Sequence, residues 1–422
     1  MNLVVSPSSL HGAVRIPASK SHTIRALLIA TLADGVSELH NPLESGDTLS
    51  CANVCSALGA RIERTPHLWR VSGTGLNLRI PDTPLDVGNS GTTLYLALAT
   101  AALADRPITF TGDYQIQRRS AQPLLDALSA LGALAVSHRA NGCAPITVRG
   151  PLRGGSVTLP CPTSQYLSSL LLNCPLASAP TSISVPLLNE QPYVEMTLDW
   201  LARQGISLHN DAFQRFFIPG QQRYHPFSRD IPADFSSATF FLVAAAITNS
   251  DVELVGLDMH DTQGDKAVVS MLSAMGATID IAPDRIRVRG GTLHGTTLDL
   301  NATPDALPAL AVAACFAEGE TRLINVAQAR IKETDRIAVM TKELRALGAN
   351  VEELPDGMII RHSHLHGGHA SGHDDHRVVM ALAVAGLRAS SPLTVHGAEA
   401  ISVTFPSFVS LMQQLGAHLQ LL

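Results

Sequence analysis

Six times along the chain, an apolar segment of helical periodicity runs into a glycine that is usually followed by alanine. The endings are SALGA (56–60), SALGA (129–133), ARQGI (202–206), SAMGA (273–277), RALGA (345–349) and QQLGA (413–417). Their glycines stand at 59, 132, 205, 276, 348 and 416, at steps of 73, 73, 71, 72 and 68 residues. Spacing this even marks an internal repeat. Upstream of the glycine, apolar residues return at helical intervals, as Leu124, Leu125, Leu128 and Leu131 do. The glycine supplies the left-handed position that stops a helix. The runs IDIAPDRIRVRG (279–290) and VEELPDGMIIRH (351–362) then read as hairpins around a tight Pro-Asp turn. The repeating unit is therefore helix, turn, strand, strand, with further strand and helix before it.

Units of about 72 residues exceed the 20–50 residues typical of solenoids, and six of them predict two pseudo-threefold α/β (α+β) domains rather than an open array. A composition shift near 220–234, in QQRYHPFSRDIPAD (221–234), marks a linker between the third and fourth units. The opening strand at the extreme N-terminus fits either domain. A chain of 422 residues accommodates two such domains, each with its own core. With 45% hydrophobic but only 4% aromatic residues, Ala, Leu and Val must build those cores.

The net charge of −6 argues against a general nucleic-acid or anionic-membrane surface. An anionic small molecule would need local basic clusters. The six cysteines form no CxxC pair and read as buried thiols in a reducing compartment. MNLVVSPSSLHGAV has no basic stretch leading into a long apolar run, and the longest apolar run, FFLVAAAI (240–247), is too short to span a bilayer. The expectation is a soluble cytoplasmic protein.

Polar and cationic residues recur where apolar helices begin. PASKSHTIRALLIA (17–30) puts Lys20, Ser21 and Arg25 at such a start, and DVGNSGTTLYLALA (86–99) feeds a Gly-rich turn into another. GDYQIQRRSAQPLLDAL (112–128) sets Arg118 and Arg119 before a helix, and CPTSQYLSSLLL (161–172) does the same with Thr163, Ser164 and Gln165. A helix N-terminus offers free N–H groups and a positive dipole end, which suit a carboxylate or phosphate. Taken singly, each of these is also what an ordinary helix cap looks like. NATPDALPALAVAA (301–314) buries one carboxylate, Asp305, and His376-Arg377 precede the apolar VVMALAVAGL. The six histidines of 362–376 lie in a glycine-rich, loop-like segment, and no other ligand cluster supports a metal site there. ARIKETDRI (329–337) carries five charges among nine residues. It follows a strand, TRLINVA, and opens a helix with Thr334 as its expected cap. Ile337, Met340, Leu344 and Leu347 form that helix's buried face. Arg330 and Asp335 are expected to pair and hold the turn. If all these helix ends meet, their dipoles and cations would hold a small, multiply anionic substrate.

SKSHTIRALLIA, GNSGTT, TSQYLSSLLL, PDALPALAVAACFAEG, RIKETDRI and DDHRVVMALAVAGL together resemble the motifs of the 5-enolpyruvylshikimate-3-phosphate synthase family, over essentially the full length. The resemblance implies two domains, each of three βαβαββ units, with the active site in a cleft between them: 1–17 plus 229–422, and 18–228. The first would carry the catalytic Asp and the phosphoenolpyruvate clamp, the second most of the shikimate 3-phosphate site. It implies transfer of the enolpyruvyl group of phosphoenolpyruvate to the 5-hydroxyl of shikimate 3-phosphate, with no metal or organic cofactor and in a monomer. By the same resemblance Ser21 and Arg25 hold the acceptor's carboxylate, Thr163 and Ser164 its phosphate, and Gln165 touches both substrates. Lys20 and Gln328 also border the acceptor. Asp305 is the base for the attacking hydroxyl, with Lys332 beside it, Glu333 serves the methylene carbon, and Lys20 completes the catalytic set with Asp305 and Glu333. Lys20, Gly91, Gln165, Arg119, Arg336 and Arg377 clamp phosphoenolpyruvate.

Four positions depart from the family's pattern. Tyr95 and Val403 replace an Arg and a Lys of the phosphoenolpyruvate side, Glu190 replaces a Ser near the acceptor's phosphate, and Gln328 replaces an Asn. The lost cations predict a raised Michaelis constant for phosphoenolpyruvate and weaker inhibition by glyphosate. Glu190 would repel a phosphate unless rotated away or paired. It is the feature that supports a diverged transferase using another hydroxylated anionic acceptor. The related UDP-N-acetylglucosamine enolpyruvyl transferase usually has a reactive Cys on the loop that is GDYQIQRRS here, which has none. A non-catalytic scaffold would have lost Lys20, Asp305, Glu333 and Arg377.

Overall fold

A computed structural model describes residues 1–422. It divides into two compact units, one made of residues 1–17 and 232–422, the other of residues 18–231. In the second the helices are α1 (Lys20–Leu32), α2 (Gly46–Ala57), α3 (Gly91–Ala101), α4 (Gln122–Ala130), α5 (Ser164–Asn173) and α6 (Gln191–Arg203). In the first they are α7 (Phe235–Ile247), α8 (Ala267–Ala274), α9 (Leu307–Cys315), α10 (Arg336–Ala346), α11 (His376–Gly386) and α12 (Phe408–Gln414).

The even-numbered helices are the repeat segments. Each ends just before one of the six glycines, and all six take a positive φ: 111°, 99°, 70°, 100°, 95° and 96°. A side chain is disfavoured there, which is why the glycine recurs. These helices bury one stripe: Leu124, Leu125 and Leu128 on α4, with Leu131 following, and Ile337, Met340 and Leu344 on α10, followed by Leu347. The odd-numbered helices are enclosed on nearly all sides, and α7 and α9 are apolar almost all round. Every residue of α3, α7, α9 and α11 is buried. The helices α7, α9 and α11 pack on one another, and α3 packs on α1 and α5.

Six four-stranded sheets complete the repeat, three per unit. In one, Ser228–Asp230 runs parallel to Val36–His40, which is antiparallel to Leu68–Ser72, itself antiparallel to Arg61–Thr65. The other five repeat this sequence of one parallel and two antiparallel pairings. The two Pro-Asp hairpins form in the expected registers, Ala282 opposite Arg285 and Leu354 opposite Gly357. Both N-terminal strands lie in the discontinuous unit, Asn2–Ser6 between Leu393–His396 and His418–Leu421, and His11–Arg15 beside Asp251–Val255. The stretch read as a linker is not free chain, because its Ser228–Asp230 supplies the parallel strand of the sheet containing Val36–His40.

Candidate active site

The ARIKETDRI segment is a 3-10 turn, Ala327–Ile331, leading into α10. The helix starts one residue later than expected. Asp335, not Thr334, is its cap, and the Asp335 side chain accepts from Ala338 N. Asp caps better than Thr because its acceptor is charged. The Arg330–Asp335 pair forms at 2.7 Å, and Arg330 also donates to Glu353 and to the Leu354 and Pro355 carbonyls. These two charges hold the turn.

Arg336, 1% exposed, is the centre of a buried network. Its Nη1 donates to Asp305 Oδ1 at 2.7 Å, its Nη2 to Glu333 Oε2 at 2.5 Å, and its Nε to Asp375 Oδ2 at 2.8 Å. Asp375, fully buried, also caps α11 by accepting from Arg377 N at 2.8 Å. Arg377 Nη2 reaches the other Asp305 oxygen at 3.0 Å. The turn Pro304–Ala306 ahead of α9 therefore does not use Asp305 as a cap but presents it between two guanidiniums. Burial pushes the Asp305 carboxyl up, yet Arg377, Lys332 and Arg336 outweigh it and hold the group far below the usual carboxylate range. Burial pulls Arg336 down, and Asp375, Glu333 and Asp305 more than reverse that. Asp305 is thus ionised, with a basicity that its two arginines suppress. His376 and Arg377 are the first two residues of α11 rather than a preceding turn. Gln328 is buried and donates to the Asn301 carbonyl at 2.9 Å. The histidines before α11 scatter: His373 pairs with Glu343 at 2.8 Å, and His369 stacks on His396.

In the continuous unit, Lys20 and Ser21 form the first turn of α1 behind the Ser19 cap, and Lys20 Nζ lies 3.1 Å from Asp47 Oδ2. Arg25 is buried one turn on. It donates to Thr197 Oγ1 at 2.9 Å and to the carbonyls of Ser21 and Tyr193 at 3.1 Å each. Burial, partly offset by Tyr193, lowers the Arg25 guanidinium to about 10, so it stays charged at neutral pH. The start of α3 explains Gly91: a Cβ there would lie 2.7 Å from Arg119 Nη1. Gly91 thus lets the Arg119 guanidinium lie against the helix start. Thr163 caps α5, and Ser164 and Gln165 form its first turn; the Gln165 Oε1 atom is buried and accepts no hydrogen bond. The Glu190 carboxylate sits on these donors, its Oε2 accepting from Thr163 Oγ1 (3.2 Å), Ser164 N (3.2 Å) and Ser164 Oγ (2.8 Å).

Each unit thus gathers its own predicted residues: Asp305, Gln328, Lys332, Glu333, Arg336 and Arg377 belong to one, and Lys20, Ser21, Arg25, Gly91, Arg119, Thr163, Ser164 and Gln165 to the other. The family model for EPSP synthase (3-phosphoshikimate 1-carboxyvinyltransferase) matches residues 4–412. This chain belongs to the EPSP synthase family. It is 50% identical over 422 residues to the 3-phosphoshikimate 1-carboxyvinyltransferase of Ruminiclostridium cellulolyticum, spanning 100% of both chains. It is 52% identical over 419 residues to that of Acetivibrio thermocellus, spanning 99% of each. EPSP synthase from Acinetobacter baumannii superposes with a TM-score of 0.83 at 29% identity over 99% of both chains. The enolpyruvyl transferase NikO from Streptomyces tendae, at 18% identity, shares the fold with a TM-score of 0.80 over 99% of this chain and 98% of its own.

Within this EPSP synthase family member, two partners had no signal of their own in the motifs. Asp375, which holds Arg336, looks in sequence like a helix cap, and it is one. Asp47 lies 27 residues from Lys20, and only the fold joins them. The departures are built in as well. Tyr95 is packed edge-on to Tyr166 at 5.2 Å, and both hydroxyls donate to the Ser120 carbonyl. Val403 closes a 3-10 turn, Ala398–Val403, ahead of α12.

Proposed function

We propose that the chain transfers the enolpyruvyl group of phosphoenolpyruvate to the 5-hydroxyl of shikimate 3-phosphate and releases inorganic phosphate. The observation that carries this reading is Asp305 clamped by Arg336 and Arg377, with Lys332 and Glu333 adjacent, in a full-length member of the EPSP synthase family. The same membership favours shikimate 3-phosphate over another acceptor.

The hydroxyl oxygen bonds to C2 of phosphoenolpyruvate as C3 gains a proton. The tetrahedral adduct then expels phosphate and loses a C3 proton, restoring the double bond. Asp305 takes the hydroxyl's proton, Lys332 shares its field, and Glu333 serves the proton at C3. Arg336, Arg377, Arg119, Lys20, Gly91 and Gln165 hold phosphoenolpyruvate, and fixed cations stabilise the departing phosphate. Ser21 and Arg25 hold the acceptor's carboxylate, Thr163, Ser164 and Gln165 its phosphate side, and Lys20 and Gln328 complete its site.

The resting geometry gives this assignment a physical sense. While Arg336 and Arg377 are bonded to Asp305, its carboxylate is a poor base. When the anionic groups of phosphoenolpyruvate draw those guanidiniums away, the basicity of Asp305 rises. The base is thereby switched on by the substrate it serves.

The unit carrying Asp305 is then the catalytic one and the other the acceptor-binding one. The chain is assigned to the cytoplasm as a monomer. Its six buried, unpaired cysteines fit a reducing compartment, and no helix is long and apolar enough to cross a membrane. The test is phosphate release with shikimate 3-phosphate and phosphoenolpyruvate, repeated with Asp305→Ala. No release from the unaltered chain overturns the assignment.

A further inference from the structure

A buried carboxylate seated on a helix N-terminus is unusual when that terminus is needed for another anion. Glu190 is 1% exposed and takes a left-handed backbone, φ 59° and ψ 40°, at the residue before α6. A glutamate rarely adopts that conformation, and strain of this kind persists only where the surroundings impose it. It turns the side chain toward the start of α5. There one carboxylate oxygen, Oε2, collects the Ser164 N–H, the Ser164 hydroxyl and the Thr163 hydroxyl. A backbone N–H flanked by two hydroxyls at a helix start is the arrangement that holds a phosphate oxygen. In this chain a protein carboxylate fills it.

Two anions cannot share these three donors. If a phosphate took them while Glu190 stayed, two negative groups would lie within hydrogen-bond distance of one another in a buried setting, where their repulsion is poorly screened.

We propose that Glu190 is an internal competitor for the acceptor's phosphate. It occupies the start of α5 in the free protein and has to rotate away before shikimate 3-phosphate is held there. This rests on the acceptor assigned above. Acceptor affinity is then set by an exchange of one anion for another, not by filling an open site. Glu190 becomes a determinant of acceptor affinity that leaves the phosphoenolpyruvate groups alone.

The test uses Glu190→Asn, which is shorter, uncharged and tolerant of the left-handed backbone, and Glu190→Gly, which removes the side chain and the strain. Binding of shikimate 3-phosphate and of inorganic phosphate is measured by calorimetry, alongside the Michaelis constant for phosphoenolpyruvate. Freeing hydrogen bonds of a charged group predicts about a ten- to hundredfold tighter dissociation constant for shikimate 3-phosphate in both variants. Inorganic phosphate should raise the melting temperature of the variants more than that of the unaltered chain. The Michaelis constant for phosphoenolpyruvate should not move. A merely structural Glu190 predicts the opposite pattern, with weaker acceptor binding and no gain in response to phosphate. Unchanged or weaker acceptor binding in the folded variants overturns the proposal. Should both variants fail to fold, Glu190→Gln decides: it keeps the shape and sheds the charge, and its acceptor binding must still tighten. Failure of the enzymatic assignment looks different, since the unaltered chain then gives no turnover while the variants still gain affinity for inorganic phosphate.

Discussion

The two units solve one problem in opposite ways. Around Arg336, a buried cation is neutralised by three carboxylates, Asp305, Glu333 and Asp375. At the start of α5, a cluster of neutral donors is satisfied by one carboxylate, Glu190. In both places the chain's own acids occupy groups that the proposed reaction requires for substrate anions. The difference is in what each arrangement costs to disturb. Removing the centre of the first strands several buried charges, whereas removing one hydroxyl from the second leaves the Glu190 carboxylate with its remaining donors.

Four substitutions and one titration bear on that contrast, the largest effect first. Asp305→Ala should lower turnover by roughly 10²–10⁴-fold, the usual worth of a positioned base, and steady-state phosphate release reads it. Arg336→Met leaves Asp305, Glu333 and Asp375 without their common partner. Thermal unfolding should show a loss of about 3–5 kcal/mol. Ser164→Ala removes a hydroxyl from Glu190 and should cost about 1–3 kcal/mol in the same assay. A Ser164→Ala loss equal to or larger than that of Arg336→Met would erase the distinction between the two regions. Gly91→Ala pushes on the Arg119 guanidinium. It should raise the Michaelis constant for phosphoenolpyruvate about severalfold while leaving acceptor binding in place, because the displaced group is the end of a flexible side chain.

The titration concerns Asp305. Its pKa in the folded chain is depressed, so its stabilising contribution is complete above the unfolded value of about 3.9 and is lost as pH falls through the folded one. The stability gap between the unaltered chain and Asp305→Asn should therefore be constant at neutral pH and narrow below about pH 4. Denaturant melts across that range check the sign, and a gap that widens on acidification would contradict the arginine clamp.

Much of this was readable from residues alone, because helical periodicity and the left-handed glycine are local signals. They located α10 and its buried face, while strand alternation around Pro-Asp gave the two hairpins and the charges of the turn gave the Arg330–Asp335 pair. Helix starts were readable to within about two residues: His376 and Arg377 belong to α11 rather than preceding it, and of Thr334 and Asp335, both good caps, only the backbone chooses between them. Partners distant in sequence were not readable. Nothing in KETDR announces Asp375, and nothing beside Lys20 announces Asp47, since the contacts exist only once separate repeats pack. Glu190 was visible as an odd residue, but its direction depends on a backbone torsion that no composition encodes. The allotment of the N-terminal strands is likewise decided by pairing partners hundreds of residues away.

The two crossings of the chain, after residues 17 and 231, have a consequence for the order in which the protein is made. The unit of residues 18–231 is one continuous stretch of sequence. The other has to keep Asn2–Ser6 waiting until Leu393–His396 and His418–Leu421 arrive on either side of it. Asn2 N donates to the Leu422 carbonyl at 2.9 Å, so Asn2 and Leu422 are neighbours. A chain rewired to start at Pro232, pass from Leu422 into Met1 and stop at Ile231 would translate each unit without interruption. In that order Asn2–Ser6 would follow both of the strands that flank it.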